Sequence, residues 1–199
     1  MSVIEFIILA IALSFEALIV MHGCAKQAKV RLTQGLAESF VVALENTIFL
    51  LLGIFLGNLL RFTPDVPNTV VDSTSSLLTD TDNLVYLGLM ILVAVRLLMR
   101  SGKKSRQVQP YDISRFPTAL LLGIAVGVNT LIVGLAIGFR VPLVENIWRA
   151  AIPMFVIMTL FAFLGVMLGR QQKEIRARRY TLFAVLFLLA FALKGAFWG

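Results

Sequence analysis

The sequence predicts an all-α membrane protein: six transmembrane helices forming two inverted three-helix repeats within one transmembrane domain, residues 1–199. Three observations predict it. Apolar runs of membrane-crossing length follow one another along the chain. Basic residues crowd into alternate connections between those runs. The second half of the chain resembles the first.

The apolar runs set the class. Hydrophobic residues make up 59% of the chain and charged residues 15%, and the mean hydropathy is +0.91. A soluble domain of this length needs more polar surface than that. Helices are expected at about 3–22, 36–60, 83–99, 117–138, 147–169 and 180–198. At 1.5 Å per residue, each is near the length that crosses a hydrocarbon core of about 30 Å. The runs are continuously apolar rather than alternating, which excludes a β-barrel. Residues 61–82 hold Pro64, Pro67, Asp65, Asp72, Asp80 and Asp82 and read as a polar, turn-rich loop. The first charge is Glu5, with no basic segment before it, so residues 1–21 do not read as a cleaved signal.

Charge then sets the orientation. The first connection carries Lys26, Lys29 and Arg31. The third carries Arg100, Lys103, Lys104, Arg106 and Arg115, and the fifth Arg170, Lys173, Arg176, Arg178 and Arg179. The opposite side has Arg61, Arg140 and Arg149. The positive-inside rule places the three basic connections in the cytoplasm and both termini outside, in a bacterial inner membrane. A net charge of +7 therefore reads as topology and contact with anionic lipid, and no nucleic-acid partner is expected. The only cysteine, Cys24, excludes an intrachain disulfide, and His22 is the only histidine. No phosphate-binding G-x-x-x-x-G-K-[ST] loop occurs, so the chain does not read as an ATPase.

The repeat relates residues 1–100 to residues 115–199. Ile11 to Val20 align with Ile124 to Val133 at a shift of 113, sharing I-A-x5-L-I-V. Thr47, Phe49, Leu52, Gly53, Leu56 and Gly57 align with Thr159, Phe161, Leu164, Gly165, Leu168 and Gly169 at a shift of 112. The third and sixth spans match only loosely, with Arg96 and Lys194 near their ends. Three spans per half is an odd number, so the second half enters the membrane from the opposite side. Inverted repeats of this kind are a frequent plan of secondary transporters, with the site near the midplane.

Polar groups inside the spans locate the candidate site. A charge at the bilayer centre costs at least about 2.5–3.5 kcal/mol on insertion scales. Glu16 lies in the first span, Asn129 at its repeat-equivalent in the fourth, and Glu45 and Asn46 in the middle of the second. Carboxylate and amide oxygens suit a hard divalent cation such as manganese, and a carboxylate also carries protons. Glu16, Glu45 and Asn129 are therefore the candidate metal ligands, with Asn46 and Thr130 as further ion-binding candidates. The competing reading is that these side chains hydrogen-bond between helices, or pair with Arg96 or Lys194. Arg96 and Lys194 either serve coupling and charge pairing or extend toward head groups. Glu38, seven residues before Glu45 on the same face and near the cytoplasmic end, has two readings, an entry residue and a solvated interfacial residue, of which the second is preferred. His22 with Cys24 reads as an incidental pair. The small-xxx-small spacing at Gly53, Gly57, Gly165 and Gly169 reads as helix packing.

In these spans the sequence resembles the six-helix putative manganese efflux pump family of the lysine-exporter superfamily. Ser14-Phe15-Glu16-Ala17 is similar to that family's S-x-D-A motif, and Asn129-Thr130-Leu131-Ile132-Val133-Gly134 to its D-A-x-x-V-G motif. Leu44-Glu45-Asn46-Thr47 is similar to its V-E-T stretch, and Ala94-Val95-Arg96 to the arginine closing its third helix. Glu16 and Asn129 stand where the family has aspartates, so one intramembrane acid is missing. The resemblance implies export of a divalent cation from the cytoplasm with no resident cofactor. The lost acid leaves two alternatives open: an amino acid or small organic cation as substrate, or a non-transporting scaffold subunit. No enzymatic nucleophile–base pair is visible in the spans. The expected partners are the bilayer and the transported cation, and a homo-oligomer is left open.

Overall fold

The structure is a computed structural model and describes residues 3–27, 31–60, 81–102, 116–139, 143–171 and 177–198. The six helices within them are α1 (Val3–Gln27), α2 (Leu32–Leu59), α3 (Thr81–Gly102), α4 (Phe116–Gly138), α5 (Leu143–Arg170) and α6 (Ala177–Trp198). The basic connection 103–115 and most of the 61–82 loop lie outside the described residues. The helices begin and end near the expected positions but run longer. α1 continues past residue 22 to Gln27, and α2 starts at Leu32 rather than at 36. Hydropathy marks where the apolar run stops, whereas backbone hydrogen bonding continues into polar sequence. α5 keeps Pro153 inside it, as membrane helices can where neighbouring groups take up the freed carbonyl.

Four helical segments are long and apolar enough to cross a membrane: Val3–Lys26, Leu32–Leu59, Leu120–Gly138 and Ile147–Arg170. α3 contributes a shorter apolar stretch, Asn83–Met99. On α2, Leu36, Phe40, Leu44, Ile48 and Leu52 are exposed, and on α5 so are Trp148, Ile152, Val156, Leu160 and Leu164. The spacing of four puts each set on a single stripe, the face such a helix turns to lipid.

The most extensive packing joins α2 to α4 and α1 to α5. Both seams are glycine contacts at backbone distance. A Cβ on Gly53 would overlap the Leu131 carbonyl, and one on Gly57 the Leu135 carbonyl. A Cβ on Gly165 would overlap the Leu18 carbonyl, and one on Gly169 the His22 carbonyl. Later residues of α2 meet later residues of α4, so these two helices run parallel, and α1 and α5 do likewise. α2 and α5 run in opposite directions, because Gly35 meets Val166 while Phe40 stacks edge-on against Phe155 at 4.9 Å. α1 and α6 are also opposed: Phe15 lies 5.7 Å from Tyr180, and Glu5 pairs with Lys194. Near the start of α3, Tyr86 Oη donates to the Phe191 carbonyl of α6 at 3.2 Å. Buried Leu13, Met21, Leu50, Ile54, Met154 and Met158 belong to one apolar core between these helices.

The seam makes a stability prediction. Gly53→Val should force α2 from α4 and cost roughly 1–3 kcal/mol, as overpacking does. Gly88→Ala, where a Cβ meets nothing within 4 Å, should leave stability equal or slightly raised. Thermal unfolding of both variants in detergent, followed by circular dichroism, checks this; equal midpoints would contradict the seam.

Candidate functional site

Near the middle of α1, Glu16 turns toward α4. Asn129 Nδ2 donates to Glu16 Oε2 at 2.6 Å. The geometry fixes the amide, since only its N–H can donate to a carboxylate. Both residues are buried, Asn129 to 1% exposure. An ionised carboxylate in such a place is expensive unless hydrogen-bonded, and a charge-assisted N–H···O bond offsets part of that cost. The amide's other end differs: Asn129 Oδ1 is buried with no hydrogen-bond partner. A buried acceptor left in that state costs about 1–3 kcal/mol, and it is a ready ligand for a cation.

The adjacent residue of α4 ties to α2. Thr130 Oγ1 donates to Asn46 Oδ1 at 2.9 Å, and Asn46 Nδ2 donates to the Val42 carbonyl at 2.8 Å. The Asn46 amide is thus engaged at both ends by protein. The carbonyl of Val42 can only accept, so it fixes the Asn46 nitrogen; Oδ1 then faces Thr130, whose hydroxyl must donate. Thr47 is satisfied within its own helix by the Ala43 carbonyl at 2.8 Å. Thr159, which aligns with Thr47 in the sequence, bonds the Phe155 carbonyl at 2.7 Å. α4 is therefore held on one side by α1 through residue 129 and on the other by α2 through residue 130.

Glu45, on α2, meets α4 at a different point. Its carboxylate occupies the space where Gly123 lacks a side chain, six residues before Asn129 and about 9 Å along the helix. Glu45 Oε2 is buried there without a hydrogen-bond partner. The candidate set thus divides: Glu16 joins Asn129, Asn46 joins Thr130, and Glu45 rests on glycine. Among the described residues, no three His, Cys, Asp or Glu side chains gather in a group able to hold a metal ion.

The remaining candidates fall as follows. Lys194 Nζ pairs with Glu5 Oε1 at 2.5 Å, across the end of α6 and the start of α1. Arg96 is exposed on α3. Glu38 corrects the expectation of a solvated interfacial residue: it is buried, because its face of α2 turns into the bundle. His22 and Cys24 are also buried. Ser14 Oγ, in the first-span motif, is buried with no hydrogen-bond partner. Sequence reasoning did not single out Glu5 or Gly123 as site positions. Glu5 lies nearly the whole chain away from Lys194. Gly123 carries no chemistry of its own, and only its lack of a side chain makes room for the acid.

The Asn46–Thr130 tie is testable by a double-mutant cycle. Asn46→Leu and Thr130→Val should each destabilise, with a coupling of roughly 0.5–2 kcal/mol, the range of buried polar contacts between membrane helices. Equilibrium unfolding in detergent measures it; additive losses would show that the two side chains act independently.

Comparison with curated proteins returns no match, and comparison with solved structures returns none. The family described as putative manganese efflux pump matches residues 29–195. The match opens after α1, so Ser14 and Glu16 precede it, while Glu45, Asn46, Arg96, Asn129, Thr130 and Lys194 fall within it. Family and apolar helices together make this a multi-pass membrane protein. Because the match runs from the connection before α2 to the last turns of α6, the chain belongs to the putative manganese efflux pump family.

Proposed function

We propose that this protein is a secondary transporter that exports a manganese-like divalent cation from the cytoplasm across the bacterial inner membrane. Its working parts are six spans in two inverted three-helix halves. Several observations support that reading of the fold. Gly53 and Gly165 are repeat-equivalent, and so are the Leu131 and Leu18 carbonyls they meet. The same holds for Gly57 and Gly169 with the carbonyls of Leu135 and His22. α2 lies parallel to α4 as α1 does to α5, while α2 opposes α5; exchanging the halves preserves every one of these relations.

The observation that carries the site is the Glu16–Asn129 contact. The two residues are 113 apart, the shift that aligns the halves. A residue that touches its own repeat-equivalent lies on the axis relating them, and inverted-repeat transporters place their substrate there. Glu16 supplies a carboxylate and Asn129 a carbonyl oxygen, both ligands that hard cations accept. Water completes the shell. One carboxylate neutralises half of a divalent charge, so binding is weaker than at a two-acid site. A proton gradient drives the cycle, with Glu16 exchanging a proton for the cation during alternating access. Basic connections on one side orient the chain with both termini outside.

Cellular manganese measured by elemental mass spectrometry tests this in a bacterium lacking its own manganese exporter. Under manganese load, the wild type should lower cell manganese, and Glu16→Gln should return it to the level of the empty vector at matched membrane abundance. Asn129→Asp should lower it below the wild-type value by adding a second charge. Folded protein that leaves manganese unchanged would refute the proposal and favour an organic cation.

A further inference from the structure

The two halves differ in one respect that bears on the direction of cation movement. Along α2, toward the end where α2 and α4 both begin, oxygen side chains follow one another away from the central pair: Asn46, then Glu45 on Gly123, then buried Glu38. Their repeat-equivalents on α5 are Met158, Ile157 and Ala150, all apolar. The equivalent of Thr130 on α1 is buried Ala17. At Asn46, Thr130 and Glu45 the α2–α4 seam is therefore polar where the equivalent positions of α1 and α5 are apolar, although the glycine contacts of both seams are the same; Glu38 lies near Cys24 of α1.

Glu45 is the informative member. Its Oε2 has no hydrogen-bond partner in a buried position, and Asn129, nearer the centre, has Oδ1 in the same condition. These two unfilled acceptors follow one another along α4: Asn129 is part of it, and Glu45 of α2 is seated against it at Gly123. Gly123 is what admits the carboxylate, since any side chain there would occupy its place. A lone carboxylate cannot replace the whole shell of a divalent ion, which takes six or more oxygens. It can replace one water of an ion that keeps the rest. Such a position suits passage rather than storage.

Building on the exporter reading above, we propose that Glu45, seated on Gly123, is a transit site for a partly hydrated divalent cation moving from the cytoplasmic side toward the Glu16–Asn129 pair. Ile157 provides no such site on the far side. The cytoplasmic half of the path binds the cation and the outer half does not, so the sequence difference between α2 and α5 makes the two faces unequal in affinity.

Everted and right-side-out membrane vesicles expose opposite faces, and manganese uptake into each gives a half-saturating concentration for that face. The wild type should saturate at lower manganese in everted vesicles. Glu45→Gln should raise that concentration roughly tenfold or more in everted vesicles only, as expected for removal of one charged contact. Gly123→Ala keeps the acid but fills its seat, and should shift the same value in the same direction. Ile157→Glu combined with Ala10→Gly, which opens the position equivalent to Gly123, should lower the value in right-side-out vesicles. A Glu45→Gln effect confined to right-side-out vesicles, an equal effect in both, or none overturns the proposal. Wild-type protein that moves no manganese in either vesicle refutes the exporter reading itself, whereas wild-type transport with an unaffected Glu45→Gln refutes only the transit site.

Discussion

The arrangement depends on backbone-to-backbone contact at two glycine seams. Within a bilayer, lipid tails are as apolar as leucine, so burying apolar side chains does little to join helices. Close approach, with dispersion contacts and hydrogen bonds across it, has to supply the association. Gly53 and Gly57 bring α2 against the carbonyls of α4, and Gly165 and Gly169 bring α5 against those of α1. Once these crossings are set, the helix directions follow, and so does the level at which each polar side chain meets its neighbour. The Thr130–Asn46 bond and the Glu45 seat on Gly123 both lie along the α2–α4 seam.

α4 is the helix that collects the polar chemistry. Successive residues, Asn129 and Thr130, point about 100° apart around its axis, which lets one reach α1 while the other reaches α2. The Asn46 amide is engaged at both ends within the protein, by Val42 and by Thr130. Asn129 donates from its Nδ2 to Glu16 and keeps a buried carbonyl oxygen without a hydrogen-bond partner. The two amides, alike in composition, are thereby given different work by the direction in which each is held.

The charged residues away from the centre show the same dependence on packing. Lys194 and Glu5 meet because α1 and α6 run in opposite directions, which brings the end of one to the start of the other. The pair is partly exposed, and such pairs contribute little to stability. Glu38 is buried although it stands near a helix end, since depth along the helix and rotation about it are separate coordinates, and rotation decided the outcome.

The sequence by itself determined the membrane class, the approximate helix positions, the family and the short roster of polar residues inside the spans. These are local or summed properties: a run of apolar residues signals a span whatever it packs against, and an acid within it is conspicuous wherever it points. The shift of 113 that separates Glu16 from Asn129 was also legible, because similarity between two stretches is a property of order along the chain. Only the tertiary structure decided which candidates touch. It joined Glu16 to Asn129 and Asn46 to Thr130, set Glu45 apart on Gly123, gave Lys194 to Glu5 and buried Glu38. Those outcomes turn on the azimuth and level of each helix against its neighbour. A glycine seam fixes both, and the backbone it is fixed against lies 78 residues away in one seam and 147 in the other.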